Sequence, residues 1–185
     1  GGSGKAGSKS SDKPLHVGQD GDWILIDQNT HKWKFNLNNN ANAKGWARLA
    51  YTHGKERRVE WYHFDSEGYM TVGWFFDPDT GKWYYLSEDH NGFYGHMVTG
   101  WHRSPKDKRW YYLDLQTGEM LVGWQNIDGK WYYFAERANQ QTWFYNESSR
   151  IWEFRGSNER PFGSMYENEK TPDGHKVDAN GVWIS

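Results

Sequence analysis

Two short aromatic patterns recur along this chain and constrain its fold more than any other feature. The first, Met-x-x-Gly-Trp, occupies Met70–Trp74, Met97–Trp101 and Met120–Trp124. The second, Trp-Tyr followed by a third ring, begins at Trp61, Trp83, Trp110 and Trp131. Internal repetition at this spacing is typical of architectures in which each small unit buries its apolar face against its neighbours.

Each repeat is predicted to form a β-hairpin. In the clearest copy, Gly123–Ile127 and Lys130–Phe134 flank the dipeptide Asp128-Gly129. Asp-Gly between β-forming residues favours a type I′ turn, because both central positions of that turn require positive φ. Lone hairpins of about five residues per strand are unstable in water. We therefore predict an all-β fold, a solenoid of stacked short β-hairpins.

The composition fits a core built from rings. The chain has 13 Trp, 12 Tyr and 9 Phe, and disordered chains are poor in these residues. A formal net charge of -2 favours neither nucleic acid nor anionic lipid as a partner. With no cysteine there are neither disulfides nor Cys-based zinc sites, and no apolar stretch is long enough to predict a membrane span.

The sequence divides into three parts by composition. Residues 1–20 are rich in Gly, Ser and Lys and are expected to be a flexible linker or an expression-derived segment. Residues 21–135 are predicted to form the β-hairpin repeat array. Residues 136–185 depart from the repeat and are predicted to be divergent terminal repeats.

Alternation along a strand places the first and third rings of each Trp-Tyr-Tyr triplet on one face and the middle ring on the other. When two hairpins stack, the Gly-Trp tryptophan and the rings of the triplets meet, so that three rings surround one gap. Such a box suits a quaternary ammonium, which is attracted to ring faces and offers no N–H donor. The same walls also suit a sugar ring, if Asn, Asp, Gln or His nearby bind its hydroxyls.

The order Gly-Trp, Trp-Tyr-Tyr, Gly-x-Met-x-x-Gly-Trp over residues 45–134 resembles the cell-wall-binding repeat of choline-binding proteins from Gram-positive bacteria and their phages. Clostridial toxin repeats and glucan-binding repeats are relatives. The segment around Trp33 resembles a degenerate earlier copy, and the tail from Gly163 to Trp183 resembles the terminal repeat of surface proteins of this kind. The resemblance implies a hairpin solenoid with choline sites between consecutive repeats.

The resemblance implies three choline sites in this sequence, each made of three aromatic rings. It also implies that Met97 and Met120 each complete the wall of a site. The sets are Trp74, Trp83 and Tyr112; Trp101, Trp110 and Tyr133; and Trp46, Trp61 and Tyr85. A further pair, Trp124 and Trp131, has no clear third member in the sequence. The middle tyrosines Tyr84, Tyr111 and Tyr132 are interpreted as packing rings.

The leading hypothesis is a secreted, non-catalytic module on the bacterial cell surface, which binds choline or choline-bearing teichoic acid. The alternatives are a carbohydrate-recognition module for glucan or host glycan, and an adhesin stalk that binds a host protein. No catalytic residue, metal site or cofactor is predicted, because the eight histidines are scattered without metal-ligand spacing.

Overall fold

The computed structural model describes residues 20–140, 142–155 and 160–185. The predicted linker, except for Asp20, lies outside these ranges. The strands are β1 (Gly21–Asp27), β2 (Lys32–Leu37), β3 (Gly45–His53), β4 (Glu56–Phe64), β5 (Gly73–Asp77), β6 (Lys82–Leu86), β7 (Gly100–Arg103), β8 (Trp110–Leu113), β9 (Gly123–Ile127), β10 (Lys130–Phe134), β11 (Thr142–Asn146), β12 (Ile151–Arg155) and β13 (Glu169–Lys170). No residue in the described ranges is helical, which confirms the predicted all-β class.

The strands pair as six antiparallel hairpins of consecutive strands. Five form two-stranded sheets, and the sixth, β11–β12, is extended by β13 in the order β12-β11-β13. The predicted turn between β9 and β10 is confirmed, because Asp128 has φ 52° and Gly129 has φ 85°. The hairpins are therefore set by local turn chemistry.

The described chain divides into two compact units. The first contains the residues up to Thr99 together with Leu115–Glu119, and so holds the hairpins β1–β2, β3–β4 and β5–β6. The second contains Gly100–Asp114 and Met120–Ser185, with the remaining hairpins. The domain boundary near residue 135 stays a prediction.

Stacking in the first unit depends on the methionine segments that follow the hairpins. Met70 pairs with Phe64 of its own hairpin, while its backbone N–H donates to the carbonyl oxygen of Trp33 in the preceding one, at 2.8 Å. The N–H of Met97 likewise donates to the Trp61 carbonyl at 2.7 Å. Backbone hydrogen bonds of this kind join consecutive hairpins, each of which would be unstable alone. The predicted stacking of hairpins is therefore present within this unit.

The core of the first unit consists mainly of rings. Among its largest fully buried side chains are Phe35, Trp46, Tyr62, Phe64 and Tyr84. Each aromatic side chain buries roughly 150–250 Å², so a few rings per layer replace an aliphatic core.

The second unit repeats this arrangement after an insertion. Met165 pairs with Phe134 and donates its N–H to the Trp110 carbonyl at 2.8 Å, as the earlier methionines do. The hairpin β11–β12 is therefore inserted between β10 and the methionine segment that belongs to it. Trp183 occupies the next equivalent position, since its N–H donates to the Trp131 carbonyl at 2.9 Å.

Across the described residues, we find no helix with the length and apolar character that crossing a membrane requires.

Candidate aromatic cages

The hairpin β7–β8 provides two walls of a box. Trp101 lies opposite Tyr112, and Arg103 lies opposite Trp110, so both indoles are on one face of the hairpin. The centroids of Trp101 and Trp110 are 6.1 Å apart and the ring planes meet at 89°. Two perpendicular indole walls leave a corner open for a ligand.

A pocket of about 350 Å³ fills this corner, and we name it the Trp101 cage. It is lined by Trp101, Trp110, Tyr132, Met165, Glu167, Ala179 and Asn180. Tyr132 is the third ring, with its centroid 4.9 Å from that of Trp101. The Trp101 side chain remains 38% exposed, so a ligand can reach it.

The Trp101 cage differs from the predicted set in its third ring and in its methionine. Tyr133 is not among the lining residues; it packs against Trp124 of its own hairpin, at 5.2 Å. Met120 is buried and packs against the turn at Gly163. Strand alternation explains the change, because the middle ring of a triplet points away from its own hairpin face and toward the preceding hairpin. Tyr132, which the sequence indicates as a packing ring, lines the cage in the structure.

A second pocket, of about 330 Å³, contains the third member that the sequence did not reveal for Trp124 and Trp131. Trp183 completes this terminal cage, and Asp173 and His175 line the rest. The exposed fractions are 46% for Trp131 and 45% for Trp183. The only signal in the sequence was the degenerate terminal copy that ends at Trp183.

A carboxylate is fixed at the wall of the terminal cage. The indole Nε1–H of Trp124 donates to Asp173 Oδ2 at 2.8 Å, and Thr171 donates to Oδ1. Burial alone would raise the pKa of Asp173, but the hydrogen bonds from Thr171 and Trp124 outweigh it and lower that pKa. An ionised carboxylate beside three indoles favours a cationic ligand.

The side chain of His175 holds Trp183 in the terminal cage. The indole Nε1 of Trp183 lies 3.2 Å from His175 Nδ1, and the two ring centroids are 6.1 Å apart. An indole N–H can only donate, so Nδ1 accepts from Trp183 when it carries no proton; the same Nδ1 lies 3.3 Å from the carbonyl oxygen of Ser185, to which it donates when protonated. The imidazole thereby orients the third wall of the cage.

The Trp101 cage also contains a carboxyl group. Burial raises the pKa of Glu167, the nearby Glu169 raises it further, and Arg103 and Arg109 lower it in part. Both cages of the second unit therefore combine three rings with one acidic side chain.

The predicted set around Trp46 is filled by the protein itself. Trp46 is only 2% exposed, and its neighbours include Phe75, Trp61 and Tyr84, with Tyr84 at 4.9 Å. Its Nε1–H donates to Asp77 Oδ2 at 2.9 Å. Tyr85 packs instead against Trp74. This set is a packed core layer in the structure.

The predicted set of Trp74, Trp83 and Tyr112 draws on both units and stays a prediction. Trp74 lies on β5 and Trp83 on the adjacent β6, where Trp83 is 37% exposed. Tyr112 belongs to the second unit and packs against Trp101 at 5.1 Å. Met97 is buried in the core cluster that contains Trp46.

The sequence model of the choline-binding type of cell wall binding repeat matches residues 60–70, 72–89 and 122–136. These stretches cover the end of β4 with its methionine segment, the hairpin β5–β6, and the hairpin β9–β10. Over these three stretches the chain is similar to choline-binding repeats. No curated protein sequence matches it significantly.

Solved structures with similar repeats come from Streptococcus pneumoniae and a phage. Choline binding protein F of S. pneumoniae is 28% identical, with a TM-score of 0.50 over 89% of this chain and 48% of its own. The modular autolysin LytC of S. pneumoniae is 23% identical, with a TM-score of 0.50 over 89% of this chain and 28% of its own. The endolysin of phage Cp-1, solved with choline, is 28% identical, with a TM-score of 0.48 over 89% and 43%.

The repeat chain spans about half the length of choline binding protein F. The likeness shows the hairpin solenoid fold, and the three matched stretches are similar to a cell wall binding repeat. The matched stretches include Trp124 and Trp131 of the terminal cage but stop at residue 136. Trp183 and Asp173 lie outside the matched stretches.

Proposed function

We propose that this chain is a non-catalytic module that anchors a secreted protein to choline-bearing teichoic acid on a Gram-positive cell surface. The terminal cage is the observation that carries the proposal, because Trp124, Trp131 and Trp183 surround one pocket beside the carboxylate of Asp173. The Trp101 cage provides a second site of similar chemistry. The matched repeat family and the likeness to choline binding protein F support choline as the ligand.

The chemistry of the cages fits a trimethylammonium group. Such a cation cannot donate a hydrogen bond, so it is held by ring faces, each contributing about 0.5–2 kcal/mol, and by burial of its methyl groups. Asp173 adds attraction to the positive charge without requiring a donor on the ligand. Several modest sites along one polymer act together, since the second binding event becomes intramolecular.

Retention on a choline-mimetic amine resin tests the proposal. The intact chain should bind the resin and elute with free choline, whereas ethanolamine, which lacks the methyl groups, should elute it poorly. A chain carrying both Trp101→Ala and Trp183→Ala should pass through the resin.

The matched control is Ile184→Ala, which removes an exposed side chain next to Trp183 that does not line the cage. This variant should be retained like the wild type. If the wild type passes through the resin unretained, or if the double variant is retained equally, the proposed function is wrong.

A further inference from the structure

A third aromatic pocket lies wholly within the first unit, outside the ring sets considered above. We name it the loop pocket; its volume is about 560 Å³, within the range of roughly 300–1,000 Å³ that is typical of ligand sites. Trp23, Trp33 and Tyr51 form its walls. Trp23 meets Trp33 at 88° and Tyr51 at 89°, with centroids 6.4 Å and 6.0 Å away.

The polar lining of the loop pocket differs from that of the two cages. The residues around it include His53, His90 and Asn91, and no Asp or Glu. Within the described ranges, no hydrogen bond engages the ring nitrogens of His53 or His90. Asn91 Oδ1 accepts from the Phe93 N–H at 3.0 Å, which leaves its amide N–H₂ as a donor. These polar groups can bind hydroxyl or carbonyl oxygens, which a trimethylammonium group does not have.

The loop between β6 and β7 closes this pocket. His90 stacks on Tyr94 with centroids 4.2 Å apart and an interplanar angle of 15°. Gly92 has φ +94°, and a Cβ there would stand 2.2 Å from the His53 ring. Only glycine allows the loop backbone to approach the His53 ring so closely in this conformation. The close approach of the loop places the neighbouring His90 and Asn91 at the pocket.

We propose that the loop pocket binds a neutral saccharide unit. The C–H face of a pyranose ring stacks on an indole, while His53, His90 and Asn91 can bind hydroxyl or acetamido oxygens. The Asn91 amide is a fixed donor, so an N-acetylated sugar, whose carbonyl is a strong acceptor, fits best. The proposal goes beyond choline binding and does not depend on it, because the loop pocket shares no residue with either cage.

Saturation-transfer NMR with the β-1,4-linked trimer of N-acetylglucosamine tests this site. The intact chain should transfer saturation to the trimer, and choline at a concentration that saturates the cages should not displace it. Asn91→Ala and His53→Ala should each weaken binding by about tenfold, the effect of losing one well-formed hydrogen bond to the ligand. Neither variant should alter retention on the amine resin.

Asp89→Ala is the matched control, because Asp89 is exposed on the same loop but does not line the pocket. It should bind the trimer like the wild type. A chain that binds choline but gives no saturation transfer, or transfer that choline abolishes, overturns the saccharide proposal and leaves the proposed function intact. Trimer binding that survives both Asn91→Ala and His53→Ala overturns the site assignment.

Discussion

The backbone N–H of Trp183 donates a hydrogen bond of 2.9 Å to the carbonyl oxygen of Trp131. This bond brings a residue from the end of the chain to the hairpin β9–β10, and it places both indoles on one pocket. In other repeats, methionine makes the equivalent bond, as Met165 does to Trp110. The last repeat therefore replaces a thioether wall by an indole, which is a stronger partner for a cation.

Removing the charge of Asp173 should weaken choline binding at the terminal cage. Asp173→Asn keeps an oxygen that can accept from the Trp124 indole but removes the negative charge beside the ligand. We expect affinity to fall by about threefold to tenfold, because a partly solvated charge pair contributes roughly 1 kcal/mol. Calorimetric titration with choline measures this affinity in the wild type and in the variant. Asp178→Asn is the control, since Asp178 does not line the cage; an equal loss in both variants would remove the assigned role of Asp173.

Gly118 should tolerate no side chain, because of Met97. A Cβ at Gly118 would lie 2.4 Å from Met97 Sδ, and Met97 is buried. Gly118→Ala should therefore lower the free energy of unfolding by about 1–3 kcal/mol more than Gly81→Ala, which has similar positive φ but open space around it. Denaturant titration gives both values.

Met97→Ala tests the cause of that difference. In this background Gly118→Ala should cost no more than Gly81→Ala, because the clash is gone. If the excess cost of Gly118→Ala persists without the thioether, the close packing of Met97 is not its source.

Acidification should destabilise the first unit through His63. Burial lowers the pKa of His63 to about 4, and Asp77 and Asp65 oppose the shift only in part. The unfolded chain, with an ordinary His pKa near 6.5, takes up the proton first, so stability is lost as pH falls from about 6.5 toward 4. Between about pH 7.5 and pH 5 the loss from His63 is about 2 kcal/mol.

His63→Gln isolates this effect, since glutamine can still bond Thr71 but does not titrate in this range. Unfolding measured at both pH values should show a smaller acid loss in the variant. An identical acid loss in wild type and variant would contradict the role of His63.

Trp46 should matter for stability and not for choline. Trp46→Phe keeps a ring in the core layer but leaves Asp77 Oδ2, which is buried, without the indole donor. The expected cost is about 1–3 kcal/mol of unfolding free energy. Choline affinity, measured by calorimetry, should stay at the wild-type value. A fall in affinity with unchanged stability would show instead that Trp46 lines an open site.

The repeat pattern was enough to predict the hairpins, their turns and their stacking, because each depends on local rules. Asp128-Gly129 takes the φ values that its turn requires, and the rings form the core as their number implied. The tryptophans of the Trp101 cage were also predicted, since Trp101 and Trp110 belong to one hairpin and share its face.

The residues that complete each cage beside its two hairpin tryptophans could not all be predicted, because they come from other parts of the chain. Tyr132 could have been predicted from strand alternation, because alternation points the middle ring of a triplet toward the preceding hairpin. Met165 and Trp183 could not be predicted in this way, because the inserted hairpin β11–β12 separates them in the sequence from β10. The filling of the Trp46 set depends on Phe75 and Tyr84, whose packing is a tertiary property.

The most direct measurement is a choline titration of the intact chain, followed through the indole N–H resonances in ¹⁵N-labelled protein. We predict saturable shifts of the Trp101, Trp110, Trp124, Trp131 and Trp183 signals, an unmoved Trp46 signal, and loss of the Trp124 and Trp131 shifts in Trp183→Ala. If choline moves none of the cage indoles, or moves Trp46 alone, the cages are not choline sites and the account is wrong.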